Sequence, residues 1–336
     1  MSAKQHIQWV FTIMALFSFL IGKAQDPQLS QFYAAPLYLS PSFAGATNKS
    51  RLAANYRNQW PAIPGAFVTY ICSYDQYFPN LNSGMGVVFM KDRSGSGGLA
   101  TTQAGFVYSY NVKINEKLQA RPGLSILYAQ RSIDINKLTL GDQLYWGTSS
   151  SLDQSFVLDK VAYPDFNVSA LLYSERYWFG AALDHLTTPN QSLWDNGAPS
   201  PVYRKFTAYG GTNLKIKRLG KKDEGESVTV TFIYKHQHEY DQLDLGLYWH
   251  KTPLVVGLWY RGLPVLKAYQ PGYGNNDALI FLAGMKFKDF QIGYSFDFTI
   301  SRMVGYSGGA HELSMTYTFK PPKKQKKLSD VPCPTF

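Results

Sequence analysis

Apolar residues recur at every second position along most of this chain, from about residue 51 onward. Between Ile292 and Ile300, large apolar residues at even positions alternate with small or polar residues at odd positions, and Leu313 to Phe319 repeats the pattern. Residues two apart share one face of a β-strand, so this period predicts strands with one apolar and one polar face. No comparable helical period interrupts it, and we predict an all-β protein.

Turn signals divide this part of the chain into 14 candidate strands, an even number, most of them near ten residues long. Connections on one side are short, as at Asn115–Glu116 and Lys288–Asp289, whereas on the other side they cover residues 132–164, 188–202 and 262–276. Outer-membrane β-barrels combine short periplasmic turns with long outer loops in the same way. The candidate strands are 51–59, 66–78, 84–92, 99–113, 117–131, 165–174, 177–187, 203–216, 226–239, 241–250, 253–261, 277–287, 290–301 and 310–320.

A soluble β-sandwich would alternate in the same way, because alternation does not show whether the apolar face meets protein or lipid. The unequal loops, the strand length and the aromatic residues near strand ends favour a barrel. Closure of a barrel also removes exposed strand edges. We therefore predict a transmembrane antiparallel β-barrel of the outer-membrane type with about 14 strands, spanning residues 49–320.

Composition supports an apolar exterior. Of the 336 residues 45% are hydrophobic and 15% aromatic, while 17% are charged, against about 25% in typical soluble domains. The mean hydropathy is −0.22. The long apolar run Trp9–Ile21 is shorter than the roughly 18 residues of a spanning helix, which excludes a helical membrane protein.

The formal net charge of +10 could suggest nucleic acid or an acidic membrane surface as partner. Four of the positive charges lie within residues 323–327, and Lys4 and Lys23 lie in a segment that we expect to be removed. We therefore predict no nucleic-acid partner. Cys72 and Cys333 are too few for a disulfide scaffold or a cysteine-rich zinc site, and whether they pair stays open.

Residues 1–24 have the three parts of a secretory signal peptide: the positive Lys4, the apolar run Trp9–Ile21 and a small-residue exit ending at Ala24. An uncleaved anchor is the alternative, but the apolar run is too short to span a bilayer comfortably. We expect cleavage after Ala24, so that the mature chain starts outside the cytoplasm at Gln25.

The two ends of the mature chain do not alternate. Residues 25–48 contain three prolines, and we predict a periplasmic N-terminal segment that plugs the lumen, docks a partner, or packs its aromatic residues as a cap on the barrel mouth. Residues 321–336 begin with two prolines, which lack the N–H that a sheet needs. This periplasmic basic tail either presents a short docking peptide or is a disordered end.

Several segments of the mature chain together resemble the PorP/SprF family of type IX secretion system outer-membrane proteins. The resemblance covers the whole mature chain, although the family usually has Asn-Pro-Ala where this chain has Ser40-Pro41-Ser42. The segments are DPQLSQFYAAPLYLSPSFAG (26–45), RLAANYRNQWPAI (51–63), MKDRSGSGGLATT (90–102), IDINKLTLGDQ (133–143), HLTTPNQS (185–192), GLWYRG (257–262), GYSFDFTISRM (293–303), GAHELSMTYTF (309–319) and CPTF (333–336).

The resemblance implies a non-catalytic barrel in outer-membrane lipid that assists export or surface attachment of adhesin cargo, serves gliding motility and links to the periplasmic ring and motor lipoproteins of the type IX machinery. An outer-membrane pore for passive or selective solute transport is the alternative, and an outer-membrane hydrolase comes third. The candidate partner-binding residues lie in the N-terminal segment and at the end of the tail: Asp26, Pro27, Gln28, Gln31, Phe32, Tyr33, Pro41, Phe43, Cys333 and Phe336.

Signals for an enzyme are weak. Residues 305–309 match the nucleophile-elbow string, but they connect two predicted strands instead of a strand and a helix. His236 and His238, with Glu239 and Asp241 nearby, could hold a metal, although such a pair more often lines a polar lumen or a turn. We predict no catalytic residue, no cofactor and no metal.

Overall fold

The protein is a closed antiparallel β-barrel. The structure, a computed structural model, describes residues 26–149, 151, 157–195, 197–217, 226–270, 273–319 and 331. Its strands are β1 (Ser50–Gln59), β2 (Phe67–Phe78), β3 (Ser83–Ser94), β4 (Leu99–Tyr110), β5 (Val112–Lys113), β6 (Gln119–Ser132), β7 (Lys160–Tyr173), β8 (Tyr177–Asp184), β9 (Lys205–Lys217), β10 (Glu226–Gln237), β11 (Tyr240–Lys251), β12 (Leu254–Gln270), β13 (Tyr273–Phe287), β14 (Phe290–Thr299) and β15 (Ala310–Phe319).

Two pairings close the barrel. β1 pairs with β15 along its whole length, from Ser50 opposite Phe319 to Gln59 opposite Ala310. β4 pairs directly with β6, and the two-residue β5 lies beside the start of β6. The described residues thus form a ring of 14 long strands, and the predicted fold class is confirmed. Because every long strand has two neighbours, the sheet has no free edge along most of its length.

The two faces of the sheet are the reverse of those in a water-soluble protein. On β15, Leu313 and Met315 point outward and are 40% and 43% exposed, while Glu312 and Ser314 point inward and are 1% and 2% exposed. The other long strands repeat this arrangement, with Val230, Leu245, Leu247, Phe281 and Phe298 among the exposed apolar residues. An apolar outer band around a polar interior is typical of a transmembrane barrel, and it distinguishes this fold from a sandwich.

The helices are short. They cover Phe32–Ala34, Pro36–Leu39, Pro41–Phe43, Pro79–Leu81, Ile135–Lys137 and Gly141–Trp146. Among the described residues, no helix has the length and apolar character to cross a membrane.

The connections differ between the two ends of the barrel. At the end that we call the short-turn end, β7 and β8, β11 and β12, and β13 and β14 are joined by two or three residues. The opposite end, the long-loop end, has connections over residues 60–66, 133–159, 185–204 and 300–309.

The prediction of an outer loop over residues 262–276 is wrong. Residues 262–276 were expected to leave the sheet, but β12 and β13 continue through most of this region. Gly262 has a φ of 151°, and the register shifts between Arg261 and Gly262 and again after Leu263. Irregularities of this kind let a strand continue past residues that resemble a turn in the sequence.

Pro164, which the sequence places at the end of a loop, lies inside β7. The last residue pair between β7 and β8 joins Val168 to Leu183, and Leu186 then donates its N–H to the carbonyl of Phe166. Residues two apart direct their backbone groups to the same side, so the missing N–H of Pro164 faces the side where pairing with β8 has ended. No ladder hydrogen bond is lost there, and the strand starts earlier than predicted.

A charge on the outer face should destabilise the barrel far more than the same charge on a loop. In Leu247→Arg the guanidinium would enter the lipid midway along β11, and we expect the free energy of unfolding in phospholipid vesicles to fall by about 2–4 kcal/mol. Leu144→Arg is the matched control, because Leu144 is 74% exposed in the loop helix; we expect a change within about 0.5 kcal/mol. Equal losses in urea titrations of both variants would contradict a lipid-facing outer surface.

Candidate functional site in the barrel interior

Residues 26–49, which we call the lumen segment, run through the inside of the barrel. The segment starts at Asp26, which contacts His185 directly after β8 at the long-loop end. It reaches Gly45, whose N–H donates to Asp75 near the short-turn end of β2. Except for Tyr38, residues 29–46 are all buried. The segment therefore fills the interior of the barrel lengthwise.

The local sequence explains why the segment is compact and not a strand. Pro36 and Pro41 each stand at the start of a short helix. Proline is favoured at this position because its φ suits a helix and its missing N–H would have no helical partner there. Two such turns in close succession give a folded segment with its backbone groups partly satisfied internally.

Glu312 on the inner wall holds the backbone of the segment directly. Its carboxylate accepts the N–H of Ser30 at 2.6 Å and the N–H of Gln31 at 3.0 Å. The guanidinium of Arg57 donates to the same carboxylate at 3.1 Å. The Gln31 side chain in turn donates to the carbonyl of Glu312 at 2.9 Å.

Asp297 extends this contact into a charge network, which we call the Glu312 cluster: Ser30, Gln31, Arg57, Asp244, Arg261, Asp297 and Glu312. Asp297 accepts from Arg57 at 2.8 Å, from Arg261 at 3.1 Å and from the Ser30 hydroxyl at 2.6 Å. Arg261 also pairs with Asp244 at 3.1 Å. These ion pairs join wall residues to one another. The segment is tied to them by the hydrogen bonds of Ser30 and Gln31 to charged groups, which are stronger than hydrogen bonds between neutral groups.

A second cluster, the Asp26 cluster, lies at the start of the segment: Asp26, Asp165, Asp184, His185 and Lys205. Lys205 contacts Asp26 at 2.6 Å and Asp184 at 3.1 Å. The two ring nitrogens of His185 contact Asp165 at 2.6 Å and Asp26 at 3.0 Å.

Burial opposes the charged forms in the Asp26 cluster, but the ion pairs are stronger. Burial alone would raise the pKa of Asp26, yet His185 and Lys205 hold it well below its ordinary value. Burial alone would lower the pKa of His185, but Asp26 and Asp165 raise it to about 10. At neutral pH, a charged imidazolium therefore bridges the two carboxylates.

Aromatic residues fill the middle of the lumen. Phe32 packs on Trp259 with ring centroids 5.5 Å apart, and Phe43 packs on Tyr209 at the same distance. The Tyr33 hydroxyl is 2.7 Å from that of Thr231 on the wall. These contacts leave the centre of the barrel packed with side chains.

The short-turn end is held by backbone contacts and close packing. Arg121 donates to the carbonyl of Ala44 at 2.7 Å, and Arg51 pairs with Asp75 at 2.9 Å. A Cβ added at Gly84 would lie 1.9 Å from the Ala44 carbonyl oxygen, so this position requires glycine. Val331, from the tail, is buried and its N–H is 3.5 Å from the carbonyl of Ala46.

The predicted partner-binding residues fall into three groups. Asp26, Pro27 and Gln28 are half-buried near the long-loop end. The members buried against the inner wall are Gln31, Phe32, Tyr33, Pro41 and Phe43. Cys333 and Phe336 lie outside the described residues, as do the predicted signal peptide and nearly all of the predicted tail. Their role in partner binding stays a prediction.

The prediction missed the wall residues that hold the segment. Arg57, Arg261, Asp297 and Glu312 are charged residues at the inward positions of alternating strands. Charges in those positions are the signal that could have identified them, because a buried charge needs a partner.

The residues of the weaker candidate sites, the metal site and the nucleophile, make contacts of a structural kind. His236 pairs with Asp241 at 2.7 Å, whereas the ring of His238 stacks on Tyr203. No group of three or more histidine, cysteine or acidic residues in the described ranges could hold a metal ion. Ser307 is buried in a turn and donates to Thr299 at 3.0 Å. Cys72 is an exposed free thiol on β2.

Two cavities bounded by described residues lie at the long-loop end. The larger, of about 950 Å³, lies between the lumen segment and β9 to β14. The smaller, of about 510 Å³, lies on the other side of the segment and includes residues of β2 to β7. Both are lined by Asp26, Pro27 and Gln28, so the start of the segment separates them.

High pH should weaken the attachment of the segment start. A histidine with a raised pKa contributes its full stabilisation below the ordinary pKa of about 6.5 and loses it as the pH rises through about 10. For Asp26 the sign is opposite: its stabilisation is present above about 3.8 and is lost only as the pH falls through its lowered pKa. We therefore expect the free energy of unfolding of the wild type to fall between pH 8 and pH 11.

The matched variants are His185→Gln and His236→Gln, since His236 is an exposed histidine outside the cluster. His185→Gln should be less stable at pH 8 and should lose less on going to pH 11, whereas His236→Gln should follow the wild type. Urea titrations at the two pH values measure this. Identical pH profiles for all three proteins would contradict a charged His185.

Solved structures that match this chain include hydrocarbon channels and a porin. The CymD monoaromatic hydrocarbon channel matches with 11% identity and a TM-score of 0.47, covering 85% of this chain and 93% of that chain. The Pseudomonas putida toluene transporter TodX matches with 13% identity and a TM-score of 0.42, covering 88% and 94%. A Rh. blastica porin mutant matches with 8% identity and a TM-score of 0.34, covering 81% and 99%. Likeness at this level carries no argument about function.

Among curated proteins, none matches this chain in sequence. The family model described as type IX secretion system membrane protein PorP/SprF matches residues 21–317, which covers most of the chain and includes the lumen segment and nearly all of the barrel. The chain belongs to the PorP/SprF family of type IX secretion system membrane proteins.

Proposed function

We propose that this barrel is a non-catalytic, outer-membrane component of the type IX secretion system that assists the export or surface attachment of adhesin cargo. Family membership supports the secretion role. The filled interior is the observation that supports a role other than that of a solute channel, because residues 29–46 are all buried except Tyr38. A barrel filled in this way is suited to act through its two ends.

The short-turn end is the side that we assign to the periplasm. Both the start of β1 and the end of β15 lie there, and outer-membrane barrels have their short turns on the periplasmic side. The tail that follows β15 carries four lysines within residues 323–327. A basic periplasmic tail suits an acidic surface on the ring or motor lipoproteins.

The long-loop end then faces the outside, where an adhesin would be held. The loop helix Gly141–Trp146 presents Leu144, Tyr145 and Trp146, each more than 70% exposed. Tyr306 in the loop between β14 and β15 is 79% exposed. Exposed aromatic residues at a loop surface are typical of protein contact sites.

The alternative function, a solute pore, needs an open path through the lumen. The Glu312 and Asp26 clusters hold the segment across that path with polar contacts of 2.6 to 3.0 Å. The hydrolase alternative needs an accessible nucleophile, but Ser307 is 1% exposed. Neither alternative is favoured by a specific observation.

Cells with and without this gene should differ in their surface and secreted proteins. Loss of one large adhesin from the surface fraction, measured by quantitative mass spectrometry, would indicate a dedicated cargo partner. Loss of all type IX substrates would indicate a core component. Reintroduction of the wild-type gene is the control, and an unchanged set of secreted proteins would refute the secretion role.

The purified barrel should conduct ions poorly. In planar lipid bilayers we expect no stable openings comparable to those of a general porin measured in the same membrane, because the lumen segment occupies the interior. Large, long-lived conductance steps from the wild-type protein would contradict the filled interior and would favour the pore.

A further inference from the structure

The larger cavity is a blind recess that opens at the long-loop end. Its floor is formed by Leu29 and Phe32 of the lumen segment, which are 2% and 3% exposed. Its rim includes Glu239 in the turn between β10 and β11, Asn275 at the start of β13 and Arg302 in the loop after β14. Its volume of about 950 Å³ lies in the range of ligand pockets. A ligand would have to enter from the outer side.

Lys235 places a basic side-chain nitrogen inside this recess. It lies on β10, opposite Thr207 on β9 and Gln242 on β11, and it is half-buried. Its ammonium is 4.3 Å from the ring centroid of Phe32, the one contact that the structure describes for it apart from its strand pairing. The ring faces the cation favourably, but it does not replace an anion.

Two other cations that line the recess already have carboxylate partners. Arg261 pairs with Asp244 and Asp297, each at 3.1 Å. Lys205 pairs with Asp26 at 2.6 Å. No described carboxylate lies within 4.0 Å of the Lys235 ammonium, which is therefore available to a ligand. A half-buried ammonium gains most from a charged hydrogen-bond acceptor.

The rest of the lining suits a peptide. Amide side chains surround the recess: Gln28, Gln59, Gln237, Gln242, Asn275 and Asn276. Most of these amides already have a partner in the protein, as Gln28 has in Gln242 and Asn276 in Tyr260. An amide carries two donor hydrogens and two acceptor lone pairs, so its remaining capacity can match the N–H and C=O groups of an extended backbone. Phe32 and Leu29 on the floor offer an apolar contact for a terminal side chain next to Lys235.

The acidic rim of the recess favours a peptide that has a basic residue before its C-terminal carboxylate. Its carboxylates are those of Glu239, Asp241 and Asp277, against the single guanidinium of Arg302. The side chains of Glu239 and Asp277 are 64% and 43% exposed, so both are accessible to an incoming chain. A basic residue a few positions before the peptide end would meet these carboxylates.

We propose that the larger cavity binds the free C-terminal carboxylate of an extended peptide that enters from the long-loop end, with Lys235 holding the carboxylate. The identification of that peptide as the end of a surface protein rests on the proposed function. The site itself takes a chain with an apolar or aromatic last residue and a basic residue shortly before it.

Binding of two matched peptides to the full-length protein in detergent micelles tests this site. The probes are fluorescein-labelled Lys-Gly-Gly-Phe with a free carboxylate and the same peptide ending in a carboxamide, followed by fluorescence anisotropy. We expect the carboxylate form to bind the wild type at least about tenfold more tightly, because a charged hydrogen bond is lost in the carboxamide.

Three variants assign the effect to Lys235. Lys235→Gln should bind both peptides equally, whereas Lys235→Arg should retain the preference for the carboxylate. Lys117→Gln should behave like the wild type, because Lys117 is exposed in the connection between β5 and β6 at the opposite end. Heat-dependent migration on denaturing gels shows that each variant has kept its closed barrel.

Several results would overturn the proposal. These are equal affinity of the two peptides for the wild type, an unchanged preference in folded Lys235→Gln, or no binding of either peptide. If glucuronic acid bound to the recess and the carboxylate peptide did not, the ligand would be an acidic sugar and not a peptide. None of these results depends on the secretion experiment, so loss of surface proteins from cells without the gene would still support the proposed function.

Discussion

The interior of this protein depends on charge pairing in a place that water reaches poorly. Arg57, Arg261, Asp297 and Glu312 would each be costly to bury alone, and together they satisfy one another. Glu312 also accepts the backbone N–H groups of Ser30 and Gln31. The same carboxylate therefore compensates the buried charge of Arg57 on the wall and positions the segment. The polar inner face and the filled lumen are thus two results of one constraint.

The fold could be predicted because its strongest signal is local. Residues two apart from Ile292 to Ile300 must share a face, whatever the rest of the chain does, and an apolar outer band follows once the barrel closes. The prediction failed where a local signal has two meanings. Pro164 and Gly262 both resemble loop residues, but one lies where a neighbouring strand has ended and the other lies at a bulge.

The candidate site was harder to predict because its parts are far apart in sequence. The prolines and aromatic residues of the segment indicated a special role, and lumen filling was one of the roles considered. The residues that hold it, such as Arg57 and Glu312, are separated from Ser30 by 27 and 282 positions. Lys235 could not be identified from the sequence, because what distinguishes it is that no carboxylate in the described part of the chain pairs with it, and only the three-dimensional structure shows this.

The seam between β1 and β15 also has a consequence for the order of events during folding. The lumen segment precedes the first strand, whereas Glu312, which anchors it, lies on the last strand, directly in the seam. Contacts of such long sequence separation form late, because a large loop must close first. The lumen segment therefore has to lie inside the curved sheet before β1 and β15 pair. Enclosing the segment and completing the barrel become one cooperative step.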